Sequence, residues 1–523
     1  MKTTFVPQQQ LSDLVEDYIH HKESVLPFCG SFLSQSAILE KMAKRPFDAR
    51  QRELLVETLL KQYQDLPISE LTQKNIESLR SLNTFTVATG HQLCLFTGPL
   101  YFIYKLISTI RLTELLKTES PEQNFVPVYW MATEDHDVAE IDHFFLRGQK
   151  KQWSTNDSGA VGELSTNGIQ QMISDFENSF DPSERLNELI KILSDSYASE
   201  NLATATRKLV NHLVGKYGIV IIDANDRGFK KSFSHILKRE LLEGMGYSEV
   251  NKTNGILKNA GYKPVVNPRE INLFYLMNHQ RERILHEGDI FRVNQTDIIF
   301  TREEILADLE NNPEKFSPNV LLRPVYQEFV LPNLAYIGGP GELSYWMQIK
   351  SLFEELGVSY PILVPRDQAI ILNHSIQKKV DKLEISDADI FISKDDFIRN
   401  YVRSQSQVSI QNESDSISAT LDAIAVKLKV LDQSLEQATM AEKQRVLKGM
   451  ENLTSKITRS EKQYHEQSIR QIESVFQAVR PDGVLQERRD NFFQYQAETL
   501  EDIIEYCHDV FDPLEPSLKV IRL

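Results

Sequence analysis

TFTVATGHQ at residues 84–92 and FVPVYWMATEDHD at residues 125–137 decide the fold. Each begins as a run of β-branched and aromatic residues and stops in a cluster of polar ones, the pattern of a buried strand that delivers a loop. Between them, residues 98–117 carry apolar side chains at Tyr101, Ile103, Leu106, Ile107 and Ile110, which reads as a helix. Strand, helix and strand in that order predict a parallel sheet. The pattern recurs downstream. YGIVIID at 217–223 is a third strand, with a helix from Phe229 to Glu243 behind it. Ala335–Ile337 is a fourth, followed by GGPGE and a helix through Leu356, and Pro361–Val364 is a fifth, followed by PRD. The stretches 141–215 and 244–333 are too long for plain crossovers and read as insertions in one sheet domain. In the second, REINLFYL (269–276) and DIFRV (289–293) look strand-bearing.

Outside this core the patterns are helical. Residues 1–80 read as helices with polar surfaces; DARQRELLVETLLKQY at 48–63 puts Leu54, Leu55, Leu59 and Leu60 on one stripe. No proline occurs from Gln368 to Arg480. There Leu421, Ile424, Leu428, Leu431 and Leu435 step by three and four, as do Ile469, Ile472, Phe476 and Val479. Such spacing belongs to coiled-coil helices or to a helical bundle arm, and a hairpin turn is expected between Leu435 and Val446, where the register breaks. The tail offers a short helix and, in SLKVIRL, an edge strand.

Composition limits the function. The chain has 523 residues, 41% hydrophobic, enough for a large core and more than one domain. A net charge of −16 repels polyphosphate, which argues against nucleic acid as a partner. Cys29, Cys94 and Cys507 are scattered, with no CxxC pair, as expected of a reducing compartment. The N-terminal stretch has no apolar signal core, and no run approaches the roughly 18 apolar residues of a membrane span. A cytoplasmic protein without a membrane partner is expected.

Ligands of open α/β sheets bind beyond the carboxyl ends of the strands, so the four polar loops are expected to meet along one edge. In the first, Thr89, Gly90, His91 and Gln92 precede a helix whose free N–H groups suit a phosphate. In the second, Asp135, His136 and Asp137 put carboxylates beside an imidazole, which suits acid–base work or cation binding. If residues 136–143 are helical, His136, Glu140 and His143 share a face and form a metal site. In the third, Gly338, Gly339, Gly341 and Glu342 let backbone approach a ligand closely. The neighbouring Arg323, Gln327, Asn333, Tyr345 and Trp346 are expected to line a pocket, and Arg323 and Arg366 to receive carboxylates. Taken singly, each loop also reads as ordinary structure: a turn, a charged helix start, a surface ion pair. No GxGxxG, P-loop or GxSxG string is present, and Cys94 reads as a packed thiol. A metal-dependent hydrolase of an amide or sugar, using the TEDHD loop, and a non-catalytic scaffold built on the helical arm are the competing readings.

Long strings resemble one known family. TGHQLCLFTGPLYFIYKLISTI, PVYWMATEDHDVAEIDHFF, REINLFYL and SPNVLLRPVYQEFVLPNLAYIGGPGELSYWMQIK look like the cysteine-adding enzymes of bacillithiol biosynthesis, over about residues 84–370. The resemblance implies an α/β fold with a Rossmann-like core, two inserted connecting domains and a helical coiled coil that mediates homodimers. With it the chain divides into an N-terminal helical segment (1–80), core (81–140), first insertion (141–215), core (216–243), second insertion (244–333), core (334–393), coiled-coil arm (394–480) and a C-terminal segment packing on the core (481–523). It implies a ligase that joins the carboxyl group of cysteine to the amine of glucosaminyl-malate. A free carboxylate does not form an amide at a useful rate, so ATP is the expected activator, through an adenylate or an acyl phosphate. In nucleotidyltransferases a His-bearing loop after the first strand steadies the phosphates, and TGHQ occupies that place; their lysine-rich KMSKS loop is absent from this sequence.

Overall fold

A computed structural model describes residues 1–277, 279–405 and 408–523. At its centre are five strands: β1 (Thr84–His91), β2 (Asn124–Met131), β3 (Val220–Asp223), β4 (Asn333–Gly338) and β5 (Ile362–Pro365). Every pairing among them is parallel, in the order β5-β4-β1-β2-β3. All eight residues of β1 are buried, its three threonines and His91 included, as expected of a strand covered on both faces. Helix α1 (Tyr101–Glu119) carries the chain from β1 to β2 and is buried over most of its length. Helices α2 (Arg227–Glu243), α3 (Leu322–Val330) and α4 (Pro340–Gln348) follow β3, precede β4 and follow β4. The chain winds from β1 outward to β3 on one side, then to β4 and β5 on the other. The direction therefore reverses between β1 and β4, and a crevice is left at their carboxyl ends, the place where doubly wound sheets bind ligands.

Both long connections are insertions with structure of their own. Residues 141–215 hold a hairpin (His143–Leu146 with Gln149–Gln152) and helices Ile169–Glu177, Glu184–Tyr197 and Leu202–Val214. Residues 244–333 hold a helix, Met245–Asn259, and a five-stranded sheet with antiparallel pairings. The strands expected from REINLFYL and DIFRV are Leu273–Met277 and Ile290–Val293 in that sheet.

The chain separates into two compact units, residues 1–371 with 484–521 and residues 372–483 with 522–523. The first begins not with a helix but with a strand, Lys2–Val6, and SLKVIRL is not at an edge. Its strand, Leu518–Arg522, lies between Lys2–Val6 and Gln368–Leu372 in a three-stranded sheet. Its middle position shows in its burial: Leu518, Val520 and Ile521 are all at 0% exposure. The second unit starts at Leu372, ahead of residue 394. Its long helices, Gln411–Lys429 and Gln433–Tyr464, form a hairpin tied by Lys443 to Asp422 at 2.6 Å. The turn comes at residues 430–432, earlier than the register break suggests, because Asp432 caps the second helix by accepting from the Ser434 N–H. Leu431 is thereby placed in the turn and is 76% exposed. Among the described residues no helix is long and apolar enough to cross a membrane.

Candidate active site

Parallel register puts the last residues of the strands in one row: His91 beside Met131, Met131 beside Asp223, and Gly338 beside Pro365. Beyond this row lies a cleft of about 750 Å³. Of the residues singled out in the sequence, Gly90, His91, Gln92, Asp135, His136, Glu140, Arg323, Gly339, Gly341, Glu342, Tyr345 and Arg366 line it. The four loops thus converge.

Others do not reach it. Thr89 is buried in the sheet, donating to the Ile337 carbonyl at 2.9 Å. Gly338 ends β4 behind the cleft, where a side chain would press on Leu343 and Tyr336. Trp346 is a core residue stacked on Tyr336, with ring centres 4.0 Å apart. Gln327 and Asn333 are fully enclosed and bond to the buried Glu328. Asp137 caps a four-residue helix, Val138–Ile141, by accepting from the Glu140 N–H at 3.2 Å. The shortness of that helix also dissolves the metal face. His143 opens the hairpin strand and bonds Asp142 at 2.9 Å, outside the cleft that Glu140 and His136 line. The hydrolase built on His136, Glu140 and His143 loses its geometry, and among the described residues no cluster of His, Cys, Asp and Glu is arranged to hold a metal.

One wall of the crevice is a buried ionic joint that the sequence reading missed. Lys105, on α1, donates to the Gly90 carbonyl at 2.6 Å and pairs with Glu342 at 2.6 Å. Glu342 also accepts from the Gly339 N–H at 2.9 Å and the Tyr336 hydroxyl at 2.8 Å. Lys105 therefore ties the end of β1 to the start of α4 across the switch point. Its signal was a lysine inside the apolar stripe of a helix, where a charge survives only with partners. Arg323 approaches from α3, donating to Gln327 Oε1 and the Tyr345 hydroxyl, each at 3.1 Å. Gly90 makes room for it, since a Cβ there would stand 3.1 Å from its Nη1.

Arg366 departs from expectation. Both its Nη atoms already hold Glu487, at 2.6 and 3.0 Å, so its carboxylate comes from the chain itself. Its Nε has no partner among the described residues, and neither do His91 Nε2 and Gln92 Oε1, although all three atoms are buried. His91 is stacked on Phe102 at 4.5 Å and meets Tyr101 edge-on at 5.3 Å. Burial, reinforced by the Lys105 and Arg366 charges, pushes its pKa well below the usual histidine range, so the ring is neutral.

The opposite wall is acidic. Gln92 Nε2 donates to Asp135 Oδ2 and, at 3.4 Å, to Glu140. Burial alone would raise the Asp135 carboxyl, but donors from His136 and Gln92 and the Arg281 charge hold it well below the carboxylate range. Glu140 moves the other way, raised by burial and by the charges of Asp135 and Asp137. Two carboxyls on one glutamine are thus driven apart, which is how a site separates an ionised anchor from a proton carrier. Arg281, from the inserted sheet, donates to His136 Nδ1 at 3.1 Å and to the Ser317 hydroxyl and Pro318 carbonyl. With Nδ1 accepting, a neutral His136 carries its proton on Nε2. Below these groups the buried Lys230 holds Glu134 and donates to the Phe316 carbonyl at 2.6 Å. Arg281 lies in the second insertion, and the pairing of Glu134 in the TEDHD loop with Lys230 in α2 joins segments that sequence spacing does not connect. The Cys94 thiol is buried and pushed up to about 12, which suits packing rather than nucleophilic attack.

Comparison with known proteins accords with this architecture. The family description "Bacillithiol biosynthesis BshC, N-terminal Rossmann-like domain" matches residues 1–367, and the corresponding C-terminal coiled-coil domain matches residues 369–523. Proteins named "Putative cysteine ligase BshC" are similar over nearly the whole chain. The one from Cytophaga hutchinsonii is 39% identical, covering 97% of this chain and 95% of its own. That from Flavobacterium psychrophilum is 40% identical, covering 98% and 97%, and that from Salinibacter ruber is 32% identical, covering 97% and 94%. The chain belongs to the BshC family of bacillithiol biosynthesis, in which a Rossmann-like domain is joined to a coiled coil.

Proposed function

We propose that this ligase forms an amide between the carboxyl group of cysteine and the amine of glucosaminyl-malate, with ATP activating the carboxyl, in a cytoplasmic homodimer. The observation that carries the reading is the crevice at the switch point, where three buried polar atoms, His91 Nε2, Gln92 Oε1 and Arg366 Nε, have no partner among the described residues. Buried polar groups are nearly always satisfied, so a polar ligand is the natural complement. Gly339 and Gly341 open α4 beside them, and Arg323, whose hydrogen bonds are to uncharged groups, stands across Gly90. This donor set fits a phosphate or a carboxylate.

ATP would lie along Gly339, Gly341, His91 and Arg366, and would supply the leaving group that makes the carboxyl carbon electrophilic. The chain's own residues do the rest. Neutral His91 donates or accepts a hydrogen bond without adding charge. Ionised Asp135 anchors a substrate ammonium and orients it through Gln92. As C–N forms and the bond from carbon to the leaving oxygen breaks, the amine must lose a proton. Glu140, with its raised pKa, receives it, and the Nε2–H of His136 donates a hydrogen bond to the departing oxygen. The test is incubation of purified protein with cysteine, glucosaminyl-malate and ATP, with mass detection of the amide and of AMP or ADP. Absence of the amide at saturating substrates overturns the reading, and the nucleotide product separates adenylate from acyl-phosphate activation.

A further inference from the structure

Arg323 is a guanidinium of the cleft whose hydrogen bonds go to uncharged groups, and the residues behind it form a buried chain. Arg323 Nη1 donates to Gln327 Oε1 at 3.1 Å, one turn along α3. Gln327 Nε2 donates to Glu328 Oε1 at 3.0 Å, and Asn333 Nδ2 donates to the same oxygen at 2.8 Å. The Thr86 hydroxyl closes the chain on Asn333 Oδ1 at 3.1 Å. Gln327, Glu328 and Asn333 are at most 1% exposed.

An amide side chain has an accepting end and a donating end of the same shape, and its partners decide which way it faces. An ionised carboxylate only accepts, so Glu328 forces Gln327 to point its NH₂ inward and its oxygen at Arg323. The flipped amide would set two N–H donors against the guanidinium. We propose that Glu328 is a positioning residue for the cleft: through the fixed orientation of Gln327 it locks Arg323 in the geometry that receives the anionic group of the substrate. The assignment of Arg323 to substrate rests on the ligase reading; the lock itself does not.

The lock is sensitive to protons. Burial pushes the Glu328 carboxyl up to about 7, against the opposing pull of Arg45, Asn333, Gln327 and Lys41. The charged and titratable groups facing it are Arg45 and Lys41 from the N-terminal helices and Tyr360 from the segment before β5. Once protonated, on Oε2, which is buried without a partner among the described residues, the carboxyl still accepts through Oε1 but without its charge, and its hold on Gln327 weakens. Arg323 is therefore held most firmly above neutral pH and less firmly as pH falls through about 7.

Two measurements test this on the full chain. In spectra of protein labelled with ¹⁵N-arginine, with the Arg323 signals assigned by their loss in Arg323→Lys, the side-chain N–H resonances should titrate near neutrality in the wild type. In Glu328→Gln, whose amide cannot ionise, the titration should vanish. In steady-state assays the wild-type KM for the substrate held by Arg323 should rise below pH 7 with kcat little changed. Glu328→Gln should show a pH-independent KM raised about tenfold, the loss of roughly one charge-assisted hydrogen bond. If Glu328→Gln does not fold, Gln327→Met removes the acceptor at similar length and should give the raised, pH-independent KM. Arg323 signals that do not titrate in the wild type, or keep titrating in either variant, overturn the lock. A titrating Arg323 in a protein that forms no amide leaves the lock standing and removes the ligase reading instead.

Discussion

Replacing Lys105 by Met isolates the joint across the switch point. At 2.6 Å and an effective dielectric near 20, the Lys105–Glu342 attraction is about 6 kcal/mol, and the cost of taking each ion out of water is of the same order. The pair therefore adds little net stability, whereas removing one partner strands the other. Breaking buried pairs costs about 3–5 kcal/mol. Here the expected loss is smaller, about 2–3 kcal/mol, because Glu342 keeps the Gly339 N–H and Tyr336 hydroxyl and its side chain is 27% exposed. Lys105→Met should thus lower the melting temperature of the first unit by roughly 2–4 °C, judged by thermal denaturation followed by circular dichroism. Adding Glu342→Gln removes the stranded charge, so the double variant should melt above Lys105→Met alone, with a coupling of about 1–3 kcal/mol. Destabilisations that simply add would show that the joint carries no such energy. Glu342 would then be held by its backbone and hydroxyl partners, and Lys105 by the Gly90 carbonyl.

Three further outcomes are expected. His136→Asn withdraws the Nε2–H donor from the departing oxygen, so amide formation should fall roughly 10²–10³-fold with melting little changed; near-native turnover would remove His136 from the chemistry. Asp135 has a lowered pKa in the fold, so its contribution is complete above about pH 3.9 and is lost as pH falls through the folded value. The difference in melting temperature between wild type and Asp135→Asn should accordingly hold steady from pH 7 to 5 and shrink below about pH 4; a difference that grows on acidification would contradict the assigned shift. If the coiled coil is the dimer interface, removal of residues 400–475 should halve the mass seen by light scattering, and an unchanged mass would place the interface elsewhere.

The parallel sheet and its loops were legible because burial on both faces writes β2 and β4 as apolar runs and β1 as a run of β-branched and aromatic residues, and because glycine and charge stop those runs abruptly. His91, Asp135, His136, Gly339 and Arg323 could be named from that alone, since a strand end in a doubly wound sheet has only one place to go. Periodicity marked the helical hairpin too, but could not place its turn, which the Asp432 cap decides. What a side chain does on arrival was not local information. Arg366 looked like a substrate receptor until Glu487, more than a hundred residues away, proved to fill its fork. Gln327 and Asn333 looked like pocket linings and are buried behind it. Lys105, Arg281 and Glu134 went unnoticed because their meaning lies in partners from other segments. The apolar pattern of the sequence determined which strands form and what they deliver. Which charges are already satisfied inside the protein, and which remain for a ligand, depends on distances between segments remote in the chain, and only the tertiary structure decided that.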